Sequence, residues 1–464
     1  MNTRTLAAIF MAGVLAALAA CSPADPSASA GVTAAPSSGT SAGPSAEPTE
    51  ATYSGELLIW DTGILGRLLD GGEVDLPNSF IDQMALKFEE QHPDLDVVVV
   101  QQGGDITTNS AQFQAASIAG NGPDIRIQYA GGPTISFADF FTDLTPYLND
   151  EIFESMAGFH VNREGFDPNG RVLGMPYGAG NLFTVFANDE MLRAAGLDPE
   201  DPPETWEELM ANGRQMLDTT GQTPFWVANL EGYVGAWVVS ALGGGELGQD
   251  IFTRMYTGDA RIDDPAMVKV YQKWAEFGAS GLTNPDAGQV SNGDSTAGFV
   301  QGKGAYYIVG SWENNNMIEN FGDNVSTFFI PMLEGAKYPK MGAGGPEIAI
   351  SITEYSEQKD AAGAFLRFLA QPENQDVFVT LYQTQASNHR DGDPTLIKNR
   401  LLQEEFVQLG ESTDGVVFAF DSVLPQSVID LFYRMNAAVF LGTVTPEDAV
   451  AQLQAANELE LSQR

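Results

Sequence analysis

The sequence is poor in the residues that build metal centres, crosslinks and basic surfaces. It has one cysteine, Cys21, and three histidines, His92, His160 and His389, each isolated from the others. A single thiol permits no internal disulfide, and there is no Cys/His cluster to ligate zinc. Neither a metal nor a cofactor is expected. Cations are scarce as well: 22 Lys and Arg against 62 Asp and Glu give a formal net charge of −40. A chain of this sign is repelled by phosphate backbones, which excludes nucleic acid as a partner. Gly302-Lys303-Gly304 lacks the upstream glycine spacing and the Ser or Thr of a phosphate loop. Gly243-Gly244-Gly245-Glu246-Leu247-Gly248 fits GxGxxG only formally, because it follows an apolar helix rather than a strand. With 62 acidic residues, neighbours such as Glu89-Glu90 or Glu404-Glu405 arise by chance and do not indicate a glycosidase. No catalytic constellation remains, and the chain is not expected to be an enzyme.

The residues that are present describe an exported globular protein. The 464 residues are 43% hydrophobic and 10% aromatic, enough to bury a large core in about two or three domains. Residues 1–20 carry one charge, Arg4, and an unbroken small and apolar run from Leu6 to Ala20, the pattern of a secretory signal rather than a core helix. The run ends Leu18-Ala19-Ala20-Cys21, which resembles the lipobox of bacterial lipoproteins, where the cysteine is acylated and becomes the first mature residue. From Ser22 to Thr52 nearly every residue is Ser, Ala, Pro, Gly or Thr. Such a stretch cannot offset its ordering entropy and reads as a flexible tether spanning roughly 30 Å.

From Gly55 onward the pattern alternates strands with helices. Residues 57–60 form a short apolar strand, and Phe80, Met84 and Phe88, with Ile81 and Ala85, mark one helical face that stops before Pro93. Residues 97–100 read as a buried strand, 111–119 as a small-residue helix, and 123–127 as the next strand. Thr205-Trp206-Glu207-Glu208 is a capping box, and 224–229 reads as a strand. Asp264-Pro265 opens a helix with Met267, Val270, Trp274 and Phe277 inward. Trp206 and Trp274 are expected in the core. Further strands are expected at 305–309 and 347–352, then helices at 359–369, 396–409, 426–441 and 446–461. The fold class is α/β with parallel strands and a helical C-terminal part.

Three groups of motifs then follow in order. The first is Phe88-Glu89-Glu90-Gln91-His92-Pro93-Asp94 with Ala119-Gly120-Asn121-Gly122-Pro123-Asp124-Ile125. The second is Gly174-Met175-Pro176-Tyr177-Gly178 with Phe186-Ala187-Asn188, Ala195-Gly196-Leu197 and Pro203-Glu204-Thr205-Trp206-Glu207-Glu208-Leu209. The third is Phe299-Val300-Gln301-Gly302-Lys303-Gly304-Ala305 running into Val309-Gly310-Ser311-Trp312. From Gly55 to the end the chain resembles the extracellular solute-binding proteins of bacterial ABC transporters, specifically the large group that binds sugars and oligosaccharides. Ala187 departs from that pattern, standing where the family usually has a tyrosine.

The resemblance implies a two-lobed, periplasmic-binding-protein-like fold with discontinuous lobes and a ligand cleft between them. Crossovers are expected near 177–180, 309–312 and 344–348. They divide the body into 55–177 plus 313–346 as one lobe and 178–312 plus 347–464 as the other, after a signal peptide (1–20) and a lipidated tether (21–54). A sugar presents apolar C–H faces and a rim of hydroxyls, so its site needs aromatic plates and a few polar groups. Trp312 and Tyr177 at crossovers are the best plates, and Trp60 with Asp61 lies at the carboxyl end of the first strand, where open α/β sheets bind ligands. Trp226, Asn229 and Trp237 are further candidates, as are Gly345 and Glu347 at the third crossover. The implied function is capture of a carbohydrate for ABC permease subunits by a monomer anchored at the outer face of the membrane. A sensory or adhesive lipoprotein and an anchored glycoside hydrolase are the alternatives. Replacing the acylated thiol tests the anchor: Cys21→Ser should move the protein from the membrane fraction to the soluble fraction, and retention in the membrane would refute it.

Overall fold

In β1 (Gly55–Asp61) alternate residues Leu57, Ile59 and Asp61 point inward and are buried, while their neighbours are only partly covered. The computed structural model describes residues 52–69, 71–103 and 106–464; the signal segment, Cys21 and nearly all of the tether lie outside the described residues. β1 pairs in parallel with β2 (Leu95–Gln101) on one side and β3 (Ile125–Tyr129) on the other. Each parallel step is bridged by a helix. Helix Phe80–Gln91 buries Phe80, Ile81, Met84, Ala85 and Phe88, one face at helical spacing, and its end precedes Pro93.

The chain next runs through β4 (Met175–Tyr177) and, after a short connection, β5 (Asn181–Asn188). It continues through β6 (Tyr306–Gly310), β7 (Val325–Phe329), β8 (Gly342–Gly345), β9 (Ile348–Ile352) and β10 (Val416–Phe418). Two sheets result. The first has the order β2-β1-β3-β9-β4, and the second has the order β10-β8-β5-β6, with β7 also on β5. The two sheets share no strand, so the body has two lobes; one apolar cluster lies about the first sheet, and a larger one about the second extends to Phe113 and Phe141 of the first lobe. This is the α/β two-lobed architecture anticipated above, with helices Gln426–Phe440 and Pro446–Gln463 closing the C-terminal part.

The strand pairing corrects the division of the chain between the lobes. β7 and β8 are hydrogen-bonded antiparallel to β5, so residues 325–345 belong with the second sheet, not the first. β9 inserts antiparallel between β3 and β4, so residues 348–352 belong with the first. Helix Pro372–Tyr382 follows β9 into the first lobe, with Phe378 edge-on to Phe80 at 5.7 Å. Helix Arg400–Glu411 lies on the second, where the Gln408 amide donates to the Thr327 carbonyl at 2.9 Å. The chain therefore passes between sheets at 177–181, at 345–348 and between Tyr382 and Arg400. It does not pass at 309–312. Gly310 there makes room for packing: a Cβ would lie 2.0 Å from the Trp312 ring. The strand expected at 224–229 is also absent; Phe225 makes only isolated bridges, to Thr283 and Tyr306.

Local signals hold where packing supports them. The Thr205 hydroxyl accepts from the Glu208 amide at 3.2 Å, completing the capping box of helix Trp206–Thr220. Helix Pro265–Ala279 is capped by Asp264 and buries Trp274 completely, its indole donating to the Asn436 carbonyl at 2.8 Å. Trp274→Ala should leave a cavity and an unpaired carbonyl, a loss of about 3–5 kcal/mol. Thermal unfolding checks it, and an unchanged melting temperature would refute this packing.

Candidate ligand-binding cleft

Between the lobes lies a cavity of about 340 Å³. Its base is the pair of adjacent crossovers, which supply Asn181 and residues 344–348. One wall comes from the first lobe: Gly63, Ile64 and Arg67 after β1, Tyr129, Ala130 and Pro133 at the end of β3, and Phe378 and Tyr382. The facing wall comes from the second lobe: Phe183, Tyr233, Trp237, Trp312, Asp421 and Tyr433. A wider groove of about 640 Å³ meets the cavity at Gln426.

The aromatic wall has two parts. The Trp237 and Trp312 rings stand edge-on with centroids 5.2 Å apart, and Phe183 lies 6.1 Å from Trp237. Tyr233 and Tyr433 stand edge-on at 4.8 Å. Helix Tyr233–Leu247 presents Tyr233 and Trp237 on one face because they are four residues apart. Trp312 sits on a turn held to the crossover: the Ser311 hydroxyl accepts from the Leu182 amide at 3.2 Å and donates to the Asn181 side-chain Oδ1 at 3.1 Å. Asn181 in turn donates from its side-chain amide to Glu347. A hydrogen-bonded chain thus ties the indole to the carboxylate.

Two acids line this cavity. Glu347 is pushed up to about 7, mainly by desolvation with a smaller upward effect of the Asp421 charge; desolvation pushes Asp421 up to about 6, although the Tyr433 hydroxyl donates to it at 3.1 Å. Tyr129 and Tyr433 are shifted upward by burial and stay neutral phenols able to donate. Across the rim the lobes touch. A Cβ on Gly132 would lie 2.3 Å from the Leu424 carbonyl oxygen, so this approach tolerates only glycine, and Phe166 meets Tyr256 edge-on at 5.0 Å.

Of the expected site residues, the cavity gathers Trp237, Trp312, Gly345 and Glu347. The others lie elsewhere. Tyr177 is fully buried one layer behind Phe378, 5.4 Å from its ring, and its hydroxyl donates to the Leu369 carbonyl. Trp226 packs against Gly298 and donates to the Ser295 carbonyl at 2.8 Å. Asn229 is fully buried, with its backbone amide bonded to Ala287. Trp60 is half-buried against the core. Asp61 turns into its own loop, accepting from the Ile64, Leu65 and Gly66 amides at 3.1, 3.1 and 2.6 Å. It shapes the wall that Ile64 and Arg67 form without facing the cavity. Sequence reading missed Tyr129, Tyr233, Asp421 and Tyr433; of these, only Tyr233, one helical turn before Trp237, carries a local signal.

Comparison with known proteins identifies the family and the fold. Residues 83–389 match the family of bacterial extracellular solute-binding proteins. The chain belongs to that family. It is 25% identical over 313 residues to the sn-glycerol-3-phosphate-binding periplasmic protein UgpB of Salmonella paratyphi A, covering 63% of this chain and 68% of that one. The UgpB of Yersinia pestis is 26% identical over 314 residues, covering 63% and 67%. Among solved structures, a chitin oligosaccharide binding protein superposes with a TM-score of 0.74 at 19% identity over 88% of this chain and 99% of that one. A Thermotoga lettingae ABC transporter solute-binding protein bound with alpha-D-tagatose gives 0.67 at 20%, covering 88% and 100%. A protein studied for xylan utilization by Caldanaerobius polysaccharolyticus gives 0.74 at 21%, covering 86% and 99%. The relatives are named as binding proteins. Among the described residues no helix is long and apolar enough to cross a membrane.

The acids of this solute-binding protein predict how its stability varies with pH. Asp61 and Asp421 are raised to about 6, Glu347 to about 7 and, in the second lobe, Glu405 to about 8, in each case mainly by desolvation. Folded-state values above the unfolded ones mean that the native state binds more protons, so stability falls as pH rises through this window. The ligand-free protein should melt at higher temperature at about pH 5 than at about pH 8. The opposite order in a calorimetric series would refute these assignments.

Proposed function

We propose that this solute-binding protein captures a carbohydrate in the interlobe cavity and delivers it to the permease of an ABC importer, held at the outer face of the membrane by acylated Cys21. The observation that carries this reading is the Trp237–Trp312 pair beside the Asn181–Glu347 hydrogen bond. Indole faces suit the apolar C–H faces of a pyranose, and the amide and carboxylate suit its hydroxyls. The names of the solved neighbours, which include chitin oligosaccharide and tagatose binders, support the same ligand class.

The curated relatives are named for sn-glycerol-3-phosphate, but the lining here is unsuited to a phosphate ester. Arg67, at the exposed rim, is the one basic side chain lining the cavity among the described residues, and two carboxylates share the space. A phosphate dianion would meet like charges in a desolvated site. Capture proceeds by lobe closure about the crossovers: contacts from both walls favour the closed form, and only that difference in affinity can shift the population.

A thermal-shift screen over neutral sugars and oligosaccharides, with glycerol 3-phosphate as control, tests the reading. Against a ligand found this way, Trp312→Ala should lower affinity about 30- to 1,000-fold, the effect of losing about 2–4 kcal/mol at a hot spot. Tyr177→Phe, which touches only the core behind the cavity, should leave affinity unchanged. Equal affinity for Trp312→Ala and wild type would place the ligand elsewhere.

A further inference from the structure

The cavity holds two carboxylates, and among the described residues no cation forms an ion pair with either. Glu347 reaches it from the crossover between β8 and β9, and Asp421 from the turn Phe420–Ser422 on the opposite lobe. They are close enough for the charge on Asp421 to act on Glu347. Each has a neutral hydrogen-bond donor, Asn181 for Glu347 and the Tyr433 hydroxyl for Asp421. Neither forms an ion pair among the described residues. Arg67 stands at the exposed rim with its guanidinium 5.2 Å from the Tyr382 ring centroid.

The walls around the pair point the same way. Trp237, Trp312, Tyr233 and Tyr433 line the space, and aromatic faces attract cations, most strongly where water is excluded. A neutral sugar could hydrogen-bond both carboxyl groups but would compensate no charge on them, leaving the pair to be relieved only by a proton. An ammonium group supplies three donors and a positive charge. The formal charge of −40 adds a long-range field that draws cations toward the cleft.

We propose that the cavity selects carbohydrates bearing an ammonium group, such as amino sugars, with the ammonium seated between Glu347 and Asp421 and flanked by the aromatic wall. The inference rests on the carbohydrate reading above and names its substrate class. It also predicts a pH signature. The empty cavity favours a proton on the pair, whereas a bound ammonium favours both carboxylates ionised; below the pKa of the sugar's own amine, about 8 for an α-amino group, binding therefore releases protons and weakens as pH falls through about 7 to about 6, while above it the amine takes up a proton to bind. The phenols of Tyr129 and Tyr433 stay neutral across that range. Asp61, behind the wall, titrates in the same window, and Asp61→Asn serves as the control for its contribution.

Isothermal titration with glucosamine and chitosan oligosaccharides, against glucose and the N-acetylated chitin oligosaccharides, tests the proposal in two buffers of different ionisation enthalpy. The amino sugars should bind at least about tenfold more tightly, a difference of about 1.4 kcal/mol. At about pH 6, where the amine is already charged, only they should release protons, and Glu347→Gln or Asp421→Asn should remove most of that preference; two variants guard against one failing to fold. If neutral or N-acetylated sugars bind as tightly as the free amines, and the variants weaken both alike, the inference is overturned while the carbohydrate reading stands. If no carbohydrate of either class binds, both fall.

Discussion

Backbone packs directly on backbone where the two lobes are joined. Tyr177 pairs with Ile348 in the first sheet and Asn181 with Gly345 in the second, so two segments of opposite direction cross the gap side by side. A Cβ on Gly180 would lie 1.9 Å from the Gly345 carbonyl oxygen, and one on Gly344 would lie 2.1 Å from that of Asn181. All three glycines have positive φ, which makes the site doubly restrictive for an L side chain. The close approach places Asn181 beside Glu347, and through Ser311 it sets the position of Trp312. The base of the cavity follows from this contact.

The cavity built on that base combines features that are unfavourable separately. Two carboxylates are desolvated with no ion pair among the described residues, and Trp312 is left partly exposed beside the buried Trp237. Both conditions cost stability in the empty protein and are relieved by a ligand that fills the space. The large cluster of the second lobe supports this arrangement: Trp274, Phe277 and Phe440 pack together behind the helix that carries Tyr233 and Trp237.

Periodic elements were legible in the sequence. The inward face of Phe80–Gln91, the capping box at Thr205 and the burial of Trp274 follow from spacing and capping chemistry within one stretch of chain. The placement of aromatics was less legible. Tyr177 and Trp312 both sit near glycines in motifs of similar look, yet one is sealed behind Phe378 and the other faces the cleft. Trp226 and Trp237 are equally buried, yet one packs beneath Gly298 and the other lines the cavity. Asp421 and Tyr433 were missed because their partners across the cavity, Glu347 and Tyr129, are remote in sequence.

The sequence by itself determined the alternation of strands and helices, the acidic charge, the family motifs and the residues that must be inward, because these depend on neighbours a few positions apart. Tertiary structure alone decided which lobe receives β7, β8 and β9, which aromatics reach the cavity, and that Glu347 and Asp421 share it. Strand partners are chosen by hydrogen bonding between distant segments, and burial of a carboxylate depends on what packs over it. Neither is encoded in the residues next to it.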